Sequence, residues 1–211
     1  CIVQVPLRHP VEHAHRAQSL HVLSGGRFRF GVGTGSTPSD FQAVQADFEG
    51  RFKTLPAHLE VMQRVWKGEA VYGPELTLWP GTEGGPPLLL GAWRSPRWID
   101  LAAKSLQGWI SSGIHTKWED LELGLKMYRA AGGQRALVAN IFTDLRPIPE
   151  ATDVMSGGRI NMAHTRINLL CEPIEARERL KRLEGTGIDD ALLVCPFDAI
   201  DQLEPMRALR P

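Results

Sequence analysis

One rhythm constrains this chain more than any other feature. Short apolar runs alternate with amphipathic stretches, and Gly or Pro punctuates almost every change. Residues 2–6 read as a strand, and His9-Pro10 opens a helix with Pro in its first turn, where a missing N–H costs nothing. Val11, Ala14, Ala17 and Leu20 recur at helical spacing, and Gly25-Gly26 stops that helix. Residues 27–33 place Phe28, Phe30 and Val32 on one face, as a strand does. A Gly/Ser/Thr/Pro loop over 33–40 precedes a helix striped by Leu55, Leu59, Met62 and Trp66, with Pro56 in its first turn or at a kink. An excursion over 68–87 is rich in Gly and Pro and has room for a small hairpin. Strands then follow at 88–92, 108–112, 137–143 and 191–195. Helices are predicted after Ser95-Pro96, over 118–131, from Pro173 to about 183, and over 200–209. Strict alternation of six strands and six helices implies a parallel sheet with helical crossovers. Either a closed barrel or an open doubly wound sheet satisfies it.

Composition narrows the functional classes. Residues 1–211 read as a single domain, and 43% hydrophobic residues suffice for a core. Lys+Arg and Asp+Glu both number 24, which leaves no electrostatic footprint for nucleic acid or an anionic membrane. No apolar run approaches the length of a bilayer span. Cys1, Cys171 and Cys195 form no CxxC pair and no metal-ligand spacing, which suits a reducing, cytoplasmic compartment, and Cys171 and Cys195 read as small buried hydrophobes.

In parallel α/β folds ligands sit at the carboxyl ends of strands. That rule selects Arg8-His9, residues 33–39, 91–97, 111–115 and 144–172. Gly33-Thr34-Gly35-Ser36 does not complete a GxGxxG fingerprint, and no GKS or GKT triplet exists. What remains is a glycine turn that lets backbone approach a flat ligand, or one that simply needs positive φ. Gly91-Ala92-Trp93-Arg94-Ser95-Pro96-Arg97 runs from a strand into a helix N-terminus, which favours an anion; an ordinary N-cap with two solvated arginines is the plainer reading. Arg51, between Phe48 and Phe52, reads by itself as a surface arginine. His9 is either a helix-start residue or an active-site donor, His13 and His15 read as solvated, and Asp189-Asp190 as a structural turn at the opposite end.

Three longer stretches carry a resemblance. They are Pro6-Leu7-Arg8-His9-Pro10-Val11, then Leu23-Ser24-Gly25-Gly26-Arg27-Phe28-Arg29-Phe30-Gly31-Val32-Gly33, then Phe48-Glu49-Gly50-Arg51-Phe52 ahead of Val65-Trp66-Lys67-Gly68-Glu69. Leu88-Leu89-Leu90-Gly91, Ser95-Pro96, Ala102-Ala103 and Gly108-Trp109 follow in order. Together they resemble the bacterial luciferase-like family of flavin-dependent oxidoreductases and monooxygenases. The resemblance implies a (β/α)8 TIM barrel. It also implies reduced FMN acting with O2 on a small organic substrate, with an 8-hydroxy-5-deazaflavin coenzyme as the alternative cofactor and a non-catalytic flavin-binding barrel as the alternative function. It places Gly33, Thr34 and Gly35 against the flavin and Arg51 on the ribityl phosphate. Gly91, Ala92, Arg94, Ser95 and Arg97 would complete the phosphate site, with His9 near the isoalloxazine end as the catalytic residue. No metal is implied. A separate flavin reductase and a homodimer or higher homo-oligomer are the partners it suggests. The stretch after residue 143 corresponds to a segment that closes over the site.

Six βα units are read where the closed fold has eight and runs to about 250 residues. The expectation is therefore a fragment lacking the first two units, with the strands beginning at Ile2 and Ala191 as bare apolar edges.

Overall fold

The computed structural model describes residues 2–73, 77–78, 80–81, 83–146, 167–195 and 200–209. They fall into two compact units, Cys1–Leu90 and Gly91–Pro211.

The first unit runs β1 (Ile2–Gln4), a 3-10 turn (Val5–Leu7), α1 (Pro10–Leu23), β2 (Phe30–Gly33), α2 (Pro38–Ala43), α3 (Arg51–Val65) and β3 (Leu88–Gly91), whose final residue opens the second unit. All pairing is parallel, with Ile2 opposite Gly31 and Phe30 opposite Leu88. Every residue of β2 is buried, as expected of a strand covered on both faces. The stripe Leu55, Leu59, Met62 and Val65 points α3 into the core, and Trp66 locks it to α1 by donating its Nε1–H to the Ala14 carbonyl at 3.0 Å. Removing so large a buried ring costs about 3–5 kcal/mol. Gly85, at φ +66°, lets the chain cross that indole, since a Cβ there would sit 2.2 Å from Trp66.

Four details of this unit differ from the sequence reading. β2 starts at Phe30, not residue 27, because Ser24 captures the preceding residues: its Oγ accepts the Phe28 N–H at 2.9 Å and its carbonyl accepts Arg27 Nε–H at 2.8 Å. A short α2 occupies part of the expected loop. Pro56 is the sixth residue of α3, beyond its first turn, and the helix runs through it. Over 68–87 no strand forms among the described residues.

The second unit contains α4 (Pro96–Ser105), β4 (Gly108–Ser112), α5 (Trp118–Ala130), β5 (Ala136–Asp144), β6 (Leu169–Leu170), α6 (Pro173–Gly185), β7 (Asp190–Val194) and α7 (Leu203–Arg207). β5 is its central strand, parallel to β4, to β7 and, at its far end, to β6. Its register with β7 slips between Val138 and Ile141, where Asn140 adopts φ 59°. Asn tolerates that left-handed geometry better than the apolar residues around it, so the bulge falls there. Gly124 in α5 sits against Trp109, where a Cβ would meet the indole at 2.8 Å. The final helix is shorter than expected, with residues 200–202 in a 3-10 turn, and the two-residue β6 falls in a stretch read as irregular. Ile2, Val3 and Leu192 are 38%, 38% and 41% exposed, in keeping with apolar edges at β1 and β7. No helix of the described residues is long and apolar enough to cross a membrane.

Candidate functional site

In the first unit, β1 ends in the 3-10 turn that delivers Arg8 and His9 to the surface. His9 is the N-cap residue of α1 but makes no side-chain cap; its ring faces Tyr72 at 5.2 Å and 52°. His13 does not lie in solvent as its sequence position suggests. It is 4% exposed, with Nε2 3.1 Å from the Val5 carbonyl, because that turn's acceptor needs a donor where water is excluded. Burial pulls the imidazole below its ordinary pKa, against the opposing effect of the Val5 hydrogen bond. His15 is half-buried.

The end of β2 leads through buried Gly33 to half-buried Thr34 and Gly35. At Gly35, φ is +82°, and a Cβ would fall 2.4 Å from Gln4 Oε1 and 2.8 Å from the Phe41 ring. The protein's own packing therefore demands glycine there. Gln4 Nε2–H donates to Asp40 Oδ2 at 2.8 Å, tying the β1 end to α2. Among the described residues, Thr34 Oγ makes only a long contact, 3.4 Å, to the Gly35 carbonyl.

Arg51 begins α3, after a turn in which Asp47 Oδ1 accepts the Gly50 N–H at 3.0 Å. Its guanidinium lies between two rings, 3.6 Å from the Phe48 centroid and 4.2 Å from that of Phe52. Nη1–H donates to the Phe48 carbonyl at 2.6 Å, while Nε is buried with no hydrogen-bond partner among the described residues. A half-buried cation with an unspent donor sits here at a helix N-terminus, where the dipole opposes positive charge.

In the second unit, Gly91 is half-buried and Ala92 is buried. The Ala92 N–H donates to the Ile110 carbonyl at 3.0 Å, and its carbonyl accepts Trp109 Nε1–H at 2.7 Å. Its N–H is thus spent inside the protein. Ser95 is the N-cap residue of α4, but its hydroxyl does no capping. Pro96 has no N–H, and those of Trp98 and Ile99 both go to the Ser95 carbonyl at 3.1 and 3.0 Å. The helix end therefore offers less than its sequence promised, mainly Arg97 N–H and Ser95 Oγ. Arg94 is 75% exposed and only 3.8 Å from Asp120 Oδ2; Arg97 is exposed, 5.2 Å from the Trp98 ring.

Two contacts here have no local sequence signal. Tyr72 reaches His9 from the Gly/Pro-rich excursion. Trp93 stacks on His115 at 4.3 Å and 30°, joining residues 22 apart; only the rule that strand ends collect at one face hints at it. Also in the second unit, Ser111 and Thr116 share a buried hydroxyl–hydroxyl bond at 3.1 Å. At the end of β5, Asp144 is buried and paired with Arg146 at 2.5 Å, and hydrogen bonds from Arg146 hold its carboxyl below the usual range. Residues 147–166 of the expected closing segment lie outside the described residues.

Asp189 is structural, as its position suggests: it accepts the Ala136 N–H at 2.6 Å and pairs with Arg129 at 2.8 Å. A groove of about 650 Å³ lined by Leu180, Leu183, Leu193, Leu203 and Met206 lies between α6, β7 and α7, on the helix-covered side of the strand and not at its carboxyl end. Cys171 and Cys195 are half-buried instead of buried, and burial pushes the Cys171 thiol up.

Comparison with known proteins fits this arrangement. The family profile of luciferase-like monooxygenases matches residues 1–160. The chain belongs to that family. The 4-hydroxyprotoasukamycin monooxygenase of Streptomyces nodosus subsp. asukaensis is 31% identical over 123 residues, 54% of this chain and 33% of that protein. An uncharacterized protein of Mycobacterium tuberculosis is 27% identical over 157 residues, 70% of this chain and 56% of its own length. The chain thus spans between a third and a little over half of the length of these relatives. Among solved structures, monooxygenase RslO1 from Streptomyces bottropensis superposes with a TM-score of 0.69 at 19% identity, over 97% of this chain and 73% of that one. The oxygenating constituent of 3,6-diketocamphane monooxygenase from Pseudomonas putida, solved in complex with FMN, gives 0.62 at 17%, over 98% and 75%. The parallel α/β architecture is that of luciferase-like barrels.

Proposed function

We propose that this luciferase-like chain holds reduced FMN in a monooxygenase that inserts oxygen into a small organic substrate. The observation that carries the reading is Arg51, a half-buried guanidinium stacked between Phe48 and Phe52 whose Nε has no partner among the described residues. That donor suits the ribityl phosphate, and the rings keep water from competing for it. Gly33, Thr34 and Gly35 offer a flat backbone surface to the isoalloxazine, and His9 offers an exposed imidazole to exchange a proton near its reactive edge. In the second unit, Ser95 Oγ, Arg97 N–H and the side chains of Arg94 and Arg97 offer the same kind of donor as Arg51, with Gly91 and Ala92 shaping the approach. When bound, the flavin supplies two-electron chemistry and the activation of O2; the chain supplies binding, orientation and exclusion of water.

The rest of the reading follows the family: residues 1–211 as one domain, a homo-oligomer in the cytoplasm, and a separate reductase delivering reduced flavin. A deazaflavin coenzyme carries the same phosphate, and the absorbance of the bound cofactor separates it from FMN.

Titration of the purified protein with FMN tests the proposal. Binding is expected, and Arg51→Ala should weaken it by ~1.5–3 kcal/mol, roughly 10- to 150-fold, as a lost charge-assisted contact. Unchanged affinity removes Arg51 from the site. Retained flavin without substrate-dependent O2 consumption, when reduced FMN is supplied, marks a non-catalytic flavin-binding barrel instead.

A further inference from the structure

The second unit leaves a large aromatic ring uncovered where its strands end. Trp93 is 46% exposed, whereas Trp66, Trp109 and Trp118 are buried and Trp98 is half-buried. It lies in the loop between β3 and α4, and His115, itself exposed, lies in the loop between β4 and α5. Their rings stack at 4.3 Å and 30°.

Both loops are tied down. Ala92, just before Trp93, spends its N–H on the Ile110 carbonyl and its own carbonyl on the Trp109 indole. Ser95, two residues after Trp93, is the N-cap residue of α4. In the other loop, Ser112 Oγ accepts the Ile114 and His115 N–H groups, each at 3.3 Å. The Ser112 carbonyl accepts the Thr116 N–H at 3.0 Å, and Thr116 is held again by the buried Ser111 hydroxyl. Gly113 is wedged against β5, where a Cβ would lie 2.9 Å from the Asn140 carbonyl. The two rings are therefore preorganised, and the indole rests on another ring instead of on the core.

We propose that Trp93, backed by His115, is a stacking platform for a planar aromatic ring, and that this ring belongs to the organic substrate. An exposed indole gains most from a ligand that lies flat on it. A saturated ring of the same carbon skeleton carries hydrogens out of its plane and cannot stack. His115 is a positioning residue, which fixes the plane of the indole. The isoalloxazine has its own surface in Gly33, Thr34 and Gly35, which leaves the platform to the substrate. The platform is a property of the two loops; its assignment to substrate rests on the flavin-dependent reading given above.

The probes are β-naphthol and decahydro-β-naphthol, which share a skeleton and a hydroxyl but not a flat ring. In protein carrying isotopically labelled tryptophan, the Trp93 indole N–H signal is the one missing from Trp93→Phe. β-Naphthol should move that signal while the buried Trp66 stays put, and the decahydro compound should move neither. Equilibrium dialysis should show β-naphthol binding weakened roughly ten-fold in Trp93→Ala. His115→Ala should weaken it less, and His115→Phe should restore it. An unmoved Trp93 signal, equal shifts from both compounds, or unchanged affinity in Trp93→Ala overturns the platform. Adding FMN separates the two proposals. FMN and β-naphthol bound together support the substrate assignment. FMN that displaces β-naphthol and itself moves the Trp93 signal overturns that assignment in favour of the flavin ring. β-Naphthol bound by a protein that takes up no FMN supports the platform and overturns the flavin reading.

Discussion

Arg51 and Arg129 are both arginines over aromatic rings, one in each unit, and their environments are opposite. Arg129 ends α5, where the helix dipole welcomes a cation. Its Nη1 donates to the Gly133 and Gln134 carbonyls, and its Nη2 donates to the Gly187 carbonyl at 3.0 Å and to Asp189 at 2.8 Å. Those donors are spent on joining the end of α5 to the turn before β7. Arg51 begins a helix, against the dipole, with one donor bonded to its own turn and Nε left over among the described residues. The difference separates an arginine whose donors the fold uses up from one with a donor to spare for a ligand. The sign is the donor that the fold leaves unspent, together with the cost of holding a cation where the backbone disfavours it.

The sharpest way to break this comparison is to remove Asp189. Asp189→Ala strips an acceptor from both Arg129 and the Ala136 N–H, and should destabilise the protein by about 2–3 kcal/mol. Urea or thermal unfolding reads that loss, and FMN affinity should not follow it. If stability holds, the Arg129 network is ornamental and the contrast collapses. Arg51→Lys is a smaller change with the opposite signature. Charge is kept but the planar fork between Phe48 and Phe52 is lost, so FMN binding should weaken by about 1 kcal/mol with stability nearly unmoved. Equal FMN affinity for Lys and Arg would mean that only charge, and not the orphaned Nε, recognises the phosphate.

Much of the architecture is legible in the sequence because Gly and Pro mark the element ends. Gly25-Gly26, Ser95-Pro96 and Pro173 each fall where a helix stops or starts. The parallel order and the structural role of Asp189 follow from the same alternation. What is not legible depends on long-range burial. Phe28 and Phe30 alternate as a strand would, yet Ser24 ties Arg27 and Phe28 back to the end of α1, which periodicity does not register. His13 sits beside the apolar stripe of α1, and only the fold shows that a buried carbonyl awaits it. Arg51 reads as a surface residue, whereas in the fold it lies against two rings with an Nε unpartnered among the described residues. Gly35 is the reverse case, since its need for positive φ and a missing Cβ is met by Gln4 and Phe41 without any ligand.

The gentlest probe of the two units is acid. In the first, burial depresses His13 and His58 below the ordinary 6.5, so the unfolded chain binds protons there before the folded one does. Stability from these rings is complete above 6.5 and falls as pH drops through their folded values. In the second, burial tends to raise Asp189, but the Ala136 N–H and Arg129 prevail and carry it below 3.8; Asp144 is lowered chiefly by its hydrogen bonds from Arg146. Folded carboxyls so lowered keep stabilising the protein until pH falls through their own values, beneath 3.8. Hydrogen exchange corrected for the intrinsic pH dependence should therefore show the 3-10 turn and the start of α1 loosening between pH 7 and 5, while β5 and β7 stay protected. Equal loosening of both regions over that interval would show that the buried histidines carry no acid-labile stability, and that the contrast between the units ends with their arginines.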